Sequence, residues 1–445
     1  MDTQGQLDAA VEASFTDPLT GLGNSRRLRS KIERLLGERA DDPAPFAVAI
    51  LDLDGFKPVN DLFGRAAGDE ILRQAALRIH AASDHSATVT RLGSDEFALL
   101  WPMVFSEAAA RDQAEMLIEV ISAPYDVGDR TARLSASIGV SLFQTGEETT
   151  AVLMQKAETA LYHAKRSGRG RTVVYTHEME EAARKTARIE QALRRAVSAG
   201  EVEPYFQPIV DLASRQVVGF ECLARWTDRD LGFVPPSVFI PIAEERGIVG
   251  PMSQLLLRRA LESARGWPEP LFLSFNLSPS QLVDQNTGLH ILRLLDKTGF
   301  DPRRLEIEIT ETGVMTDPAN AEKIVEDLRR VGIRVSLDDF GTGQSSLGRL
   351  REFHFDKLKI DRAFVSSILE DRPSEHIVKA ILAMCDGLGL DVVAEGIEEE
   401  AQADMLVQIG CQRGQGYFFG KPADADSTLG YLRDSFRGAA RAKAI

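Results

Sequence analysis

Eight short strand-like runs recur between residues 201 and 436, most of them separated by stretches of helical periodicity, and they constrain the fold of this chain more than any other feature. They are Pro204–Asp211, Val218–Trp226, Leu271–Leu277, Leu305–Thr310, Arg334–Phe340, Lys357–Asp361, Asp391–Gly396 and Gly414–Phe419. Eight β-then-α units predict a (β/α)8 barrel, although open α/β sheets are assembled from the same units. The polar residues near the ends of the runs discriminate. In order they are Gln207, Glu221, Asn276, Glu308, Asp338 with Asp339, Lys359, Glu395 and Gln415. A barrel gathers the C-terminal ends of its strands at one mouth, so residues scattered over two hundred positions would converge there.

The composition of that mouth points to metal chemistry. Any one of these acids read alone is best taken as a solvated loop residue with a salt-bridge partner. A whole series of acids and amides at successive strand ends is not, because burying unpaired charge is costly. The donors are oxygens, with no clustered His or Cys, which favours Mg²⁺ or Mn²⁺ over a structural zinc. Two such ions about 3.5–4 Å apart activate a water and stabilise a phosphoryl oxygen during in-line displacement. Asp338 is the natural bridging carboxylate, and Lys359 would add a cation near the phosphate or the attacking water.

Residues 1–175 read differently. Phe46–Asp54 is a strand ending in acids, and a helical pattern follows over about 66–82. Thr88–Leu92 and Glu96–Trp101 flank Gly-Ser-Asp as a hairpin, and further helices cover about 106–121 and 149–166 around strands at 134–143. This predicts an α+β sheet domain with helices on its faces. Residues 176–200, charged and Ala-rich, form either a helical connector or the first helix of the second domain. The barrel is expected over 201–436 and a tail over 437–445.

Net charge is −15, which excludes general binding to a nucleic-acid polymer. No apolar stretch approaches the roughly 20 residues of a membrane span, and the polar N-terminus has no signal-peptide pattern. Cys222, Cys385 and Cys411 are too widely spaced for a zinc motif or an obvious disulfide set, as expected of a cytoplasmic protein.

The segments ECLARW, FNLSP, EIEITE, LDDFGTGQSSL, LKIDRAF, AEGIE and GQGYFFGKP resemble the EAL family of cyclic-di-GMP phosphodiesterases over residues 187–436. The resemblance implies hydrolysis of cyclic di-GMP to linear pGpG. It implies one metal ion held by Glu221, Asn276, Glu308 and Asp338, and a second held by Asp338, Asp339 and Glu395. Lys359 would lie beside the catalytic water. Gln207, Arg225 and Gln415 would serve the substrate, and Glu398 would stand behind the ligands. The loop 340–347 resembles the family's link to dimer contacts, so a homodimer is implied. The signature reads Glu-Cys-Leu where the family has Glu-Ala-Leu. Cys222 alternates away from the Glu221 side chain, so a small apolar residue is tolerated there.

The first half resembles the GGDEF family of diguanylate cyclases over about residues 14–176, through DPLTGLGN, LDLDGFKPVNDLFG, AAGDEIL, RLGSDEFALL, ASIGVS and ALYHAKRSGRGR. The resemblance implies a nucleotide-cyclase-like domain in which Asp52 and Asp95 bind metal with GTP, Asn60 and Asp69 read guanine, and Lys165 and Arg169 meet phosphates. The family's Gly-Gly turn is Gly93–Ser94 here, and the feedback motif Arg-x-x-Asp is replaced by Asp84-His85-Ser86-Ala87. A serine in a left-handed turn costs roughly 1 kcal/mol. Three functions follow: a phosphodiesterase regulated by GTP, a bifunctional cyclase and phosphodiesterase, or a non-catalytic cyclic-di-GMP receptor. The complete ligand set argues against the receptor.

Overall fold

A computed structural model describes residues 13–38, 45–128, 130–143, 149–340 and 353–442, with side chains through 433. The chain divides into two compact units, Met1–Lys185 and Thr186–Ile445.

The first unit is built on strand β1 (Ala47–Asp54), whose apolar run is buried along nearly its whole length. Alternate side chains enter opposite faces of a strand. Ala47, Ala49, Leu51 and Leu53 join one apolar cluster, while Val48 and Ile50 join another with Phe46. β2 (Thr88–Gly93) and β3 (Glu96–Trp101) form the expected hairpin. β4 (Tyr125–Val127) and β5 (Arg130–Ala132) form a separate two-stranded sheet. β6 (Ser135–Leu142) and β7 (Thr172–Val174) complete a five-stranded sheet in the order β2–β3–β1–β6–β7. Helices 65–82, 107–122 and 150–166 cover it, so the α+β expectation holds.

In the second unit β8 (Val202–Asp211), β9 (Val217–Asp228), β11 (Phe272–Leu277), β12 (Leu305–Thr310), β13 (Arg334–Phe340), β14 (Lys357–Ile360), β15 (Asp391–Ala394) and β16 (Arg413–Gln415) close into an eight-stranded barrel, with a short β10 (Gly232–Val234) outside it on β9. The ring departs from eight identical β-then-α units at one place. β8 runs antiparallel to both of its neighbours, β9 and β16. The reason is local. Asp211 accepts from the backbone and hydroxyl of Ser214, Asp211 N donates to Gln216 O, and Arg215 is left-handed at φ 58°. A tight turn of this kind joins only antiparallel strands, because a parallel crossover needs a dozen residues or more. The last strand is also shorter than expected, since residues 416–419 turn away after Gln415.

Helix His177–Ala199 buries Ile189, Ala192, Leu193 and Ala196 in the large core between strands and outer helices. Inside the barrel, Ile209, Phe272 and Val393 make a small apolar plug. Beside it lies an ion pair the sequence reading did not anticipate: Lys357 Nζ reaches Glu306 at 2.5 and 2.7 Å, and both side chains are 1% exposed. Lys357 also stands 4.3 Å from the Phe272 ring centroid. Removing one partner of such a pair typically costs about 3–5 kcal/mol, whereas replacing both by apolar residues of similar volume is often neutral. Lys357→Met is therefore expected to lower stability by about that amount, and Glu306→Met/Lys357→Met to recover most of it. Denaturant midpoints of the parent and both variants check this. A double variant no better than the single would refute it.

Candidate active site at the barrel mouth

Alternation along each strand sets which side chains face inward. Glu306 and Glu308 on β12, and Lys357 and Lys359 on β14, share the inner face two by two. Lys359, 1% exposed, is the centre of the upper layer. Its Nζ lies 2.6 Å from Glu395 Oε1, 2.7 Å from Glu308 Oε2, and 3.7 Å from both Glu221 Oε1 and Asp338 Oδ2. Asn276 Nδ2 donates to Glu221 Oε1 at 2.7 Å, and Gln415 Nε2 donates to Glu221 Oε2 at 2.5 Å. Gln415 also donates to Gln207 Oε1 at 3.1 Å, and Gln207 donates to the Gly420 carbonyl. Gln207 reaches this layer from mid-strand, paired with Glu221 in the antiparallel β8–β9 ladder. Eight of the residues singled out in the sequence thus meet in one site.

One lysine cannot balance four carboxylates, and the titration of the group reflects this. Burial raises Glu308 well above the usual carboxylate range, helped by Glu221, Asp338 and Glu395 and opposed by Lys359. Burial and the neighbouring acids likewise push Glu395 up to about 8. Burial also works against Glu221, but Lys359, Gln415 and Asn276 outweigh it and hold that group low. Burial disfavours the charge on Lys359 too, yet the ring of acids keeps its proton well above the ordinary lysine range.

Asp339 is placed at the rim. It is exposed and left-handed at φ 57°, and its backbone N–H donates to Asp338 Oδ1 at 2.9 Å, next to an irregularity in the β13–β14 register. Burial and Asp338 raise it. Arg225 is half-buried, donates to the Ala224 carbonyl and lies 5.9 Å from the Tyr205 ring centroid. Glu398 points elsewhere: its carboxylate pairs with Arg362 at 2.9 Å in an exposed contact. The loop expected over 340–347 lies outside the described residues beyond Phe340. Among the described residues, no three His, Cys, Asp or Glu side chains are arranged as a ready metal cage. The acids are drawn inward onto Lys359.

In the first unit, Asp52 at the end of β1 pairs with Lys165 at 2.6 Å, and Asp95 and Asp54 act on it electrostatically. Burial is the main cause of its raised titration. Asp54 accepts from Ser137 Oγ and Gly170 N, with the exposed Arg169 3.8 Å away. Asn60 sits in helix Phe56–Phe63 against Gly68. A Cβ on Gly68 would come 1.8 Å from Asn60 Oδ1, so only glycine leaves Asn60 where it is. Asp69 is exposed on the next helix.

Ser94 adopts φ 43°, the left-handed turn conformation expected of the family's glycine. Its carbonyl accepts from Arg91 at 2.7 and 3.2 Å, and Arg91 pairs with Asp17 at 3.3 Å. Ser94→Gly should therefore stabilise this unit by about 1 kcal/mol, a rise in midpoint of roughly 2–4 °C for a domain of this size. A calorimetric scan showing no rise would contradict the strain.

Residues 190–422 match the EAL domain family, and residues 14–171 match the diguanylate cyclase GGDEF domain family. The chain is 34% identical to a bifunctional diguanylate cyclase/cyclic di-GMP phosphodiesterase, MucR of Pseudomonas aeruginosa, over 94% of its own length and 62% of that protein. It is 32% identical to the cyclic di-GMP phosphodiesterase PdeR of Escherichia coli, over 92% of its own length and 62% of that protein. It spans about half the length of two further relatives, 50% and 51%. Among solved structures, the PaMucR phosphodiesterase in complex with c-di-GMP superposes with a TM-score of 0.52 at 32% identity, covering 54% of this chain and 99% of that one. The Vibrio cholerae LapD S helix-GGDEF-EAL structure, at 18% identity and TM-score 0.57, covers 94% of this chain and 98% of that one and shows likeness of fold alone.

Proposed function

The chain belongs to the EAL family and carries a GGDEF domain ahead of its EAL domain, and from that premise we propose that it hydrolyses cyclic di-GMP to linear pGpG with divalent cations at the barrel mouth. The observation that carries this reading is the closure of Glu221, Glu308, Asp338, Glu395, Asn276 and Gln415 around Lys359. All the candidate ligands are oxygens, and buried negative charge exceeds positive. That donor chemistry fits Mg²⁺ or Mn²⁺. Glu221, Asn276, Glu308, Asp338, Asp339 and Glu395 would hold the ions, which when bound supply Lewis acidity and an activated water for in-line phosphodiester displacement.

The chain's own groups have definable parts. Lys359 keeps its proton and presents a fixed cation to negative charge developing on the phosphoryl group. Arg225 offers a planar fork of donors suited to a phosphate. Gln207 and Gln415 hold Glu221 in one orientation. Next to Asn276, a cavity of about 240 Å³ is lined by apolar groups such as Leu223 and Ile240 together with the polar Glu244, Ser253 and Gln281, and it would offer room for a purine base. The complex of PaMucR with c-di-GMP supports the same choice of substrate.

The test is turnover of cyclic di-GMP with identification of the product. Activity with Mg²⁺ or Mn²⁺ that stops on chelation and yields pGpG is expected. Full activity in excess chelator would sink the metal assignment.

For the first domain the proposal is a GTP-binding regulator. The juxtaposition of Asp52, Asp95 and Lys165 favours a second reading, in which the domain also makes cyclic di-GMP. Labelled GTP decides between them. Binding that changes phosphodiesterase constants in the parent, but not in Asp69→Ala, supports regulation. Conversion to cyclic di-GMP supports the cyclase.

A further inference from the structure

Glu308 is the most deeply enclosed carboxylate of the upper layer, 0% exposed, and its two oxygens have different partners. Oε2 accepts from Lys359 at 2.7 Å, and Oε1 accepts from the hydroxyl of Ser274 on β11 at 2.6 Å. Ser274 is itself 0% exposed. On the other side of Glu308, on β13, lies Ser336, its neighbour in the β12–β13 register. Ser336 is equally buried, but its hydroxyl has no hydrogen-bond partner among the described residues. Two serines on the flanking strands thus share residue type and burial and differ in whether the hydroxyl is engaged.

We propose that Ser274 is a positioning residue for the metal site, fixing the Glu308 carboxylate so that its remaining lone pairs face the mouth. A glutamate has three side-chain torsions, and the contacts of Glu308 to Lys359 and to the Glu221 carboxylate leave the oxygen nearest Ser274 without a fixed partner of its own. The bond from Ser274 to that oxygen fixes the carboxylate plane. Each carboxylate oxygen carries two lone pairs, so accepting one hydrogen bond leaves one for a cation. Partners that orient a ligating group in this way commonly matter about 10–100-fold in metal affinity. The inference rests on the phosphodiesterase reading above, because it takes Glu308 as a ligand.

The experiment compares Ser274→Ala, Ser274→Thr and Ser336→Ala with the parent, measuring Mn²⁺ affinity by calorimetric titration, kcat and KM for cyclic di-GMP at saturating Mn²⁺, and thermal midpoint. Ser274→Ala should lose about 10–100-fold in Mn²⁺ affinity, with KM within about twofold of the parent when metal saturates. Ser274→Thr, which keeps the hydroxyl, should recover most of that loss. Ser336→Ala should bind Mn²⁺ like the parent, which separates a specific role from a general effect of altering a buried serine. Parental Mn²⁺ affinity in Ser274→Ala, or an equal loss in Ser336→Ala, overturns the inference and leaves the phosphodiesterase reading standing. A parent that neither binds Mn²⁺ nor opens cyclic di-GMP overturns that reading and the inference with it.

Discussion

Lys359→Ala is expected to destabilise the barrel by about 3–5 kcal/mol and to lower kcat by about 10²–10³-fold, while metal binding survives, because loss of the Lys359 contact that helps orient Glu308 is offset by removal of a positive charge that competes with the ions. The stability loss follows from electrostatics. Lys359 lies within 4 Å of Glu221, Glu308, Asp338 and Glu395, and none of the four has another basic partner among the described contacts. Without the ammonium, Glu221 loses its counter-charge, and Glu308 and Glu395, already raised by burial and their neighbours, are pushed higher still. At roughly 2–4 °C per kcal/mol, the midpoint of the barrel transition should fall by about 10 °C. Added Mn²⁺ should restore much of this, because an ion that binds only the folded state stabilises it by mass action. The catalytic loss has a separate origin, the missing cation at the phosphoryl group. Calorimetric scans with and without Mn²⁺, together with turnover, test both parts. A variant whose midpoint is unchanged and whose kcat falls less than tenfold would remove Lys359 from the centre of the site.

Asp338→Asn should behave in the opposite way. The change keeps the shape of the side chain and removes one negative charge from a site already in surplus, so the metal-free barrel should hold or gain stability. Mn²⁺ affinity should drop, and kcat should fall by about 10²–10³-fold or more. Asp338 lies on β13 just before Asp339, whose left-handed backbone turns it towards the rim. The two acids therefore occupy different depths of the mouth, and Asp338 is the one beside Lys359. The diagnostic is the crossed pattern: Lys359→Ala loses stability and keeps metal, and Asp338→Asn keeps stability and loses metal. Equal loss of metal affinity in both would refute the division of roles.

Much of the site was legible before the fold was known, for a physical reason. Period-two alternation places Glu306 with Glu308 and Lys357 with Lys359 on common faces, and a closed barrel brings the ends of its strands to one mouth whatever their separation in sequence. Strand ends rich in acids and amides therefore announced a site, and Asn276, Glu308, Asp338, Lys359, Glu395 and Gln415 do converge from theirs, while Glu221 and Gln207 join them from mid-strand across the β8–β9 ladder. The hairpin at Gly93–Ser94 was legible for a similar reason, since a turn between two β-rich runs leaves little conformational choice. Ser94 accordingly takes the left-handed geometry that a glycine would fill without strain.

Other features were decided only by tertiary structure. The reversed first strand was hidden because its apolar pattern is the same in either direction, and only the short Asp211–Gln216 turn fixes the polarity. The partner of each buried charge depends on barrel stagger. Lys357 finds Glu306, and Lys359 finds Glu308, across an intervening strand, a pairing that no sequence spacing encodes. The same is true of Ser274, an ordinary strand residue until the β11–β12 register sets its hydroxyl against Glu308. Glu398 shows the converse: it lies three residues from Glu395, yet its carboxylate is drawn out to Arg362. Sequence thus determined which residues face the mouth, because facing is a local property of alternation. The fold alone determined which of them touch, because contact depends on register and closure between strands far apart in the chain.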